Sequence, residues 1–158
     1  MDIQENPFYV LGATARDNRR RIMDLAEEKS LIAEEHAGAE ASSLLTNPRK
    51  RLSAELGWLP GLGPSRAIEL ISLLNTNPVD IRKHTSLLPL ARVNILSAAL
   101  SRVVELLTVE EFAHWVIDIS ESHNNIEHES TMMVLNEERA VAGFPELTDS
   151  HAFESELN

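Results

Sequence analysis

Apolar residues recur along this chain at helical spacing and nowhere alternate as they would in a strand. There are no alternating Val/Ile/Thr runs, and no Asn-Gly or Asp-Gly hairpin turn occurs. The expected fold is therefore all-α. Ile22, Leu25, Ala26, Ile32 and Ala33 make one stripe, with Asp17 as an N-terminal cap and Gly38 as a turn. Ala41, Leu44 and Leu45 give a short helix. Asn47 then caps a helix that opens with Pro48 and carries Leu52, Leu56 and Leu59.

The run Pro60-Gly61-Leu62-Gly63-Pro64 is the strongest punctuation in the chain. It divides the expected architecture into a helical unit at 1–60 and an antiparallel helical bundle at 64–158 with an acidic C-terminal segment. In the bundle, Ala67, Ile68, Ile71 and Leu74 mark a helix over 64–75, and Asn77-Pro78 opens a short turn of helix ending near His84. Residues 87–107 are apolar on more than one side, which predicts a central buried helix. Thr108 with Glu111 has the form of a capping box for a helix carrying Phe112, Trp115, Val116 and Ile119. A further helix is expected over 126–142, stopped by Gly143 and Pro145, and residues 148–157 form a last short helix or a loose tail. Trp58, Trp115, Phe144 and the Met132-Met133 pair are assigned to the core or to helix seams.

Charge is unevenly placed. The net charge of -11 divides into -2 over residues 1–60, +2 over 61–107 and -11 over 108–158, where Arg139 stands alone against twelve carboxylates. Such a C-terminal third would repel phosphates, so nucleic acid is disfavoured as a partner. The chain has no cysteine, which excludes disulfides and thiolate metal sites. Met1 to Glu5 lacks the apolar run of an export signal, and no stretch approaches the roughly 20 apolar residues of a membrane span. A cytoplasmic setting without membrane contact is expected.

Chemistry-bearing motifs are sparse. No Gly-x-Ser-x-Gly elbow occurs, and no phosphate-cradling loop ends in Gly-Lys-Ser/Thr. His114, Asp118, Glu121, His123, Glu127 and His128 cluster in sequence, but His123 and His128 straddle a turn at Asn124-Asn125 and no His-Glu-x-x-His helix is present. No catalytic residue, metal ligand or cofactor is assigned. The candidate partner-binding residues are two basic clusters: Arg19, Arg20 and Arg21 at the start of one helix, and Arg49, Lys50 and Arg51 at the start of another. Cations this early in a helix oppose its macrodipole, which favours an acidic partner outside the helix. Solvated faces with intrahelical ion pairs are the plainer alternative.

The first third carries a family resemblance. Asn6-Pro7-Phe8-Tyr9-Val10-Leu11-Gly12 at one end and Leu44-Leu45-Thr46-Asn47-Pro48-Arg49-Lys50-Arg51-Leu52 at the other bracket a basic-then-acidic helical stretch. Over about residues 5–60 the chain resembles a degenerate J-domain, the helical module that docks on heat-shock ATPase chaperones. Tyr9, Leu11 and Gly12 match the first-helix pattern, Arg19–Arg21 fall where the docking surface would lie, and Leu45, Thr46, Arg49, Lys50 and Arg51 match the third-to-fourth helix turn. The His-Pro-Asp tripeptide that drives ATPase stimulation is missing; the corresponding stretch reads Glu34-Glu35-His36-Ala37-Gly38-Ala39-Glu40. The resemblance implies a J-like helical hairpin kept as a docking surface, and hence a non-catalytic protein–protein interaction or adaptor module. The alternatives are a co-chaperone acting on a heat-shock ATPase, an enzyme of another type, and a nucleic-acid binder.

Overall fold

In a computed structural model, which describes residues 2–32 and 36–157, every regular element is helical and no strand occurs among the described residues. The helices are α1 (Pro7–Leu11), α2 (Arg19–Ile32), α3 (Ala37–Thr46), α4 (Arg51–Leu56), α5 (Pro64–Thr76), α6 (Pro89–Val103), α7 (Val109–Asn124), α8 (His128–Ala142) and α9 (Ser150–Leu157). Short 3-10 segments cover Pro78–Lys83 and Val104–Leu106.

Local chemistry sets these boundaries. Asn6 caps α1 by accepting from the Phe8 amide at 3.0 Å, Pro7 occupies the first turn where no amide hydrogen is needed, and Gly12 closes the helix at φ 65°. The capping box expected at α7 is present: Thr108 Oγ1 accepts from the Glu111 amide at 3.2 Å, and the Glu111 carboxylate accepts from the Thr108 amide at 2.8 Å. Hydrogen bonding to this charged form holds the Glu111 carboxyl below its ordinary value. Asp17 does not cap α2. Its carboxylate turns back to the Thr14 amide at 2.8 Å, and Asn18 accepts from the Arg21 amide at 2.9 Å instead. Gly38, expected as a turn, lies within α3. Its Cα faces α2, and an added Cβ would sit 3.6 Å from the Ala26 carbonyl oxygen, an ordinary van der Waals contact.

The chain divides into two compact units. One consists of Met1–Trp58 together with His128–Asn158, and the other of Leu59–Glu127. The first division falls beside the Pro60–Pro64 run. The second departs from the sequence reading, which kept 128–158 with the bundle. The reason is physical: Arg139 pairs with Glu55, the buried Phe144 ring lies against Arg51, and α9 packs on α4.

Within the first unit, α2 packs on α3 and α1 packs on α3. Its interior holds Phe8, Leu11, Ile22, Ala41, Leu45, Leu52 and Leu56. The Phe8 and Trp58 rings meet at 5.8 Å. The apolar stripe expected on α2 is narrower than its spacing implied. Ile22 is buried, Leu25 and Ala26 are half-buried, and Ile32 is 87% exposed; Ala33 lies outside the described residues.

The second unit centres on α6, which packs against α5, α7 and the Pro78–Lys83 segment. Leu90, Ala91, Ile95, Leu96, Ala98, Ala99 and Val103 are buried along α6, and Leu70, Leu74, Ile81 and Trp115 close over them. The apolar run over 87–107 thus holds the centre of its unit, although regular α-helix ends at Val103 and Leu106 is exposed.

Candidate functional site

The six basic residues singled out in the sequence separate into a surface group and one interior residue. Arg19, Arg20 and Arg21 open α2 and are exposed, as are Arg49 and Lys50 in the turn before α4. Asn47 shapes that turn by accepting from the Arg49 amide at 3.0 Å and the Lys50 amide at 3.2 Å. Arg51 is fully buried and is not part of a docking surface. Helical periodicity turns it inward, one residue after two exposed cations.

Phe144 links the two clusters. The Arg19 guanidinium lies 5.3 Å from its ring centroid, and that of Arg51 lies 4.1 Å from it. The start of α2 and the start of α4 are thereby gathered on one aromatic ring from the chain's C-terminal part.

The exposed cations differ in how far they are neutralised. Arg21 reaches Glu28 at 3.3 Å, with both side chains at least half exposed. Such a pair contributes at most about 0.5 kcal/mol. Among the described residues, Arg19, Arg20, Arg49 and Lys50 make no ion pair. In a chain carrying twenty-five carboxylates, these four exposed cations have no ion-pair partner among the described residues.

Behind this surface lies a charged cluster that the sequence did not reveal. Arg51 Nε donates to Glu55 Oε1 at 2.6 Å, while Arg139 Nη2 approaches Glu55 Oε2 at 2.7 Å and its Nε approaches the same oxygen at 2.9 Å. Further guanidinium hydrogens go to backbone carbonyls: Arg51 to Ala15 at 2.7 Å and Leu45 at 3.2 Å, Arg139 to Pro48 at 2.9 Å and Pro145 at 3.2 Å. Burial lowers the Arg51 pKa from its ordinary value, and the neighbouring Glu55 carboxylate offsets part of that shift. The Arg51–Glu55 spacing of four was visible in the sequence. The isolation of Arg139 among carboxylates was the second signal.

In the second unit, the acidic and histidine-bearing stretch is arranged differently from a metal centre. Asp118 accepts from Arg82 Nε at 2.7 Å, with Arg92 at 4.0 Å. A small polar cleft of about 190 Å³ opens beside it between Thr85, Leu87, Pro89 and Arg92 on one side and Asp118, Glu121, Ser122 and Asn125 on the other. Among the described residues, no group of three His, Asp or Glu side chains is placed to hold a metal ion. None of the described helices is long and apolar enough to cross a membrane. Comparison with known proteins finds no matching family, no matching curated protein and no matching solved structure.

Proposed function

We propose that this chain is a non-catalytic protein–protein interaction module whose N-terminal part keeps a J-like scaffold and receives an acidic face of another protein. The observation that carries this reading is the group Arg19, Arg20, Arg49 and Lys50, exposed and without a carboxylate partner among the described residues of an acidic chain. Long-range attraction to an acidic partner would speed encounter and fix its orientation. The order α1, α2, α3, α4, with α2 packed on α3, supports the J-like reading of the scaffold. The sequence has no His-Pro-Asp, so the docking is assigned without ATPase stimulation.

The test is a charge-reversed variant carrying Arg20→Glu, Arg49→Glu and Lys50→Glu. All three residues are exposed, so the helical circular-dichroism signal should be unchanged. Partners that co-purify with the native chain from its own cells should be lost. Retention of every partner would move the interface elsewhere. Single-turnover ATP hydrolysis by a heat-shock chaperone separates the co-chaperone alternative: acceleration by this chain would replace the adaptor reading.

A further inference from the structure

Helix α7 in the second unit is apolar on two sides. Trp115 is buried and Ile119 half-buried, which fixes the side that packs on α6. On the opposite side Val109 is 88%, Phe112 40%, Val116 42% and Ile117 51% exposed, with Ala113 and Ser120 exposed between them. These positions recur at intervals of three and four residues, so they form a continuous stripe along about three turns of helix. The sequence places Phe112, Trp115, Val116 and Ile119 together as the apolar residues of this helix. The structure divides that group, and an outward apolar stripe of this length is the signature of a surface that is covered by a partner.

Charge selects the partner. Residues 104–124 contain Glu105, Glu110, Glu111, Asp118 and Glu121 and no lysine or arginine. Glu110 and Glu121 project at neighbouring angles along one edge of the stripe, and neither makes an ion pair among the described residues. A symmetric antiparallel pairing with a second copy of α7 would place Glu110 of one copy beside Glu121 of the other, so like charges disfavour it. We infer that the outward face of α7 docks a basic amphipathic helix, whose apolar stripe lies on Val109, Phe112, Val116 and Ile117 and whose Lys or Arg residues meet Glu110 and Glu121. This surface belongs to the second unit and is independent of the basic surface proposed above.

The probe is a fluorescein-labelled 18-residue peptide of Leu and Lys patterned as an amphipathic helix. A second peptide of the same composition is scrambled to remove the stripe. Anisotropy titrations use the full chain at near-physiological salt. The patterned peptide should bind at least tenfold more tightly than the scrambled one. Val116→Asp should weaken it at least tenfold, the pair Glu110→Gln with Glu121→Gln should weaken it and flatten its salt dependence, and Met133→Asp on α8, also at an exposed position, should leave it unchanged. Equal affinity for the two peptides would overturn the inference, since charge alone would then account for binding. So would indifference to Val116→Asp, or a Val116-dependent dimer of the native chain in sedimentation equilibrium.

Discussion

The two units solve the problem of holding helices together by different means. The second is an ordinary apolar interior, with α6 surrounded by Leu70, Leu74, Ile81 and Trp115. The first buries the guanidiniums of Arg51 and Arg139 with the carboxylate of Glu55, and the Arg51 guanidinium lies against the rings of both Phe8 and Phe144. Removing charges from water is costly, and their mutual attraction repays it only when the geometry is good and further hydrogen bonds support the pair. Here Glu55 serves both arginines, four backbone carbonyls accept further guanidinium hydrogens, and Arg51 lies 5.1 Å from the Phe8 centroid as well as against Phe144. An apolar core accepts many arrangements of similar volume, whereas this cluster accepts one. The difference teaches that directional bonds, more than buried area, specify which segments of the first unit meet.

The sharpest way to break this contrast is Glu55→Gln. It removes the carboxylate that both buried guanidiniums bond and should destabilise the first unit by about 3–5 kcal/mol. Urea unfolding should show its transition moving to lower denaturant, followed through Trp58 after Trp115→Phe removes the other indole. The combined change Arg51→Met, Glu55→Leu, Glu138→Gln and Arg139→Met removes the buried charges of this cluster together and should be close to neutral or stabilising. If Glu55→Gln costs no more than an exposed substitution, the ionic account of the first unit is wrong.

A smaller effect is expected for Leu74→Ala in the second unit. It deletes a fully buried side chain and should cost about 3 kcal/mol. Amide exchange should accelerate in α5 and α6 while that of α1 to α4 keeps its rates. Uniform acceleration through both units would instead show that they unfold together.

The smallest effect concerns the start of α7. Thr108→Ala removes the capping hydroxyl and should cost about 1 kcal/mol. The Glu111 carboxyl has a lowered folded pKa because its charged form accepts from Thr108. Its contribution is thus complete above the ordinary glutamate range and is lost as pH falls through the folded value. Amide exchange at Glu111 and Phe112, corrected for intrinsic rates, should show this acid loosening in the native chain and lose it in Glu111→Gln, which does not titrate.

Much of the helix layout was legible because local rules decide it. Pro7, Pro64 and Pro89 stand in first turns, Gly12 and Gly143 take positive φ at helix ends, and Thr108 with Glu111 forms the cap its spacing announced. Trp58, Trp115 and Phe144 are buried as expected. What was not legible depends on contacts distant in sequence. Arg51 shares a basic run with Arg49 and Lys50, and only its tertiary partners Glu55 and Arg139 make it interior. Met133 sits beside buried Leu135 yet faces outward, since consecutive helical positions diverge by about 100°. Of the candidate docking cations, five remain at the surface. The aromatic ring that gathers Arg19 and Arg51 comes from Phe144, nearly a hundred residues beyond Arg51.

The closure of Arg139 on Glu55 has a consequence for how the protein is made. The earlier unit in the sequence is interrupted by the whole of Leu59–Glu127, so its last pieces leave the ribosome after the inserted unit is already complete. Until then the nascent Arg51 and Glu55 await their third member, and the amino-terminal helices stay open to transient company. Contacts of such long sequence separation slow folding, which makes the inserted unit the first of the two to mature on the growing chain.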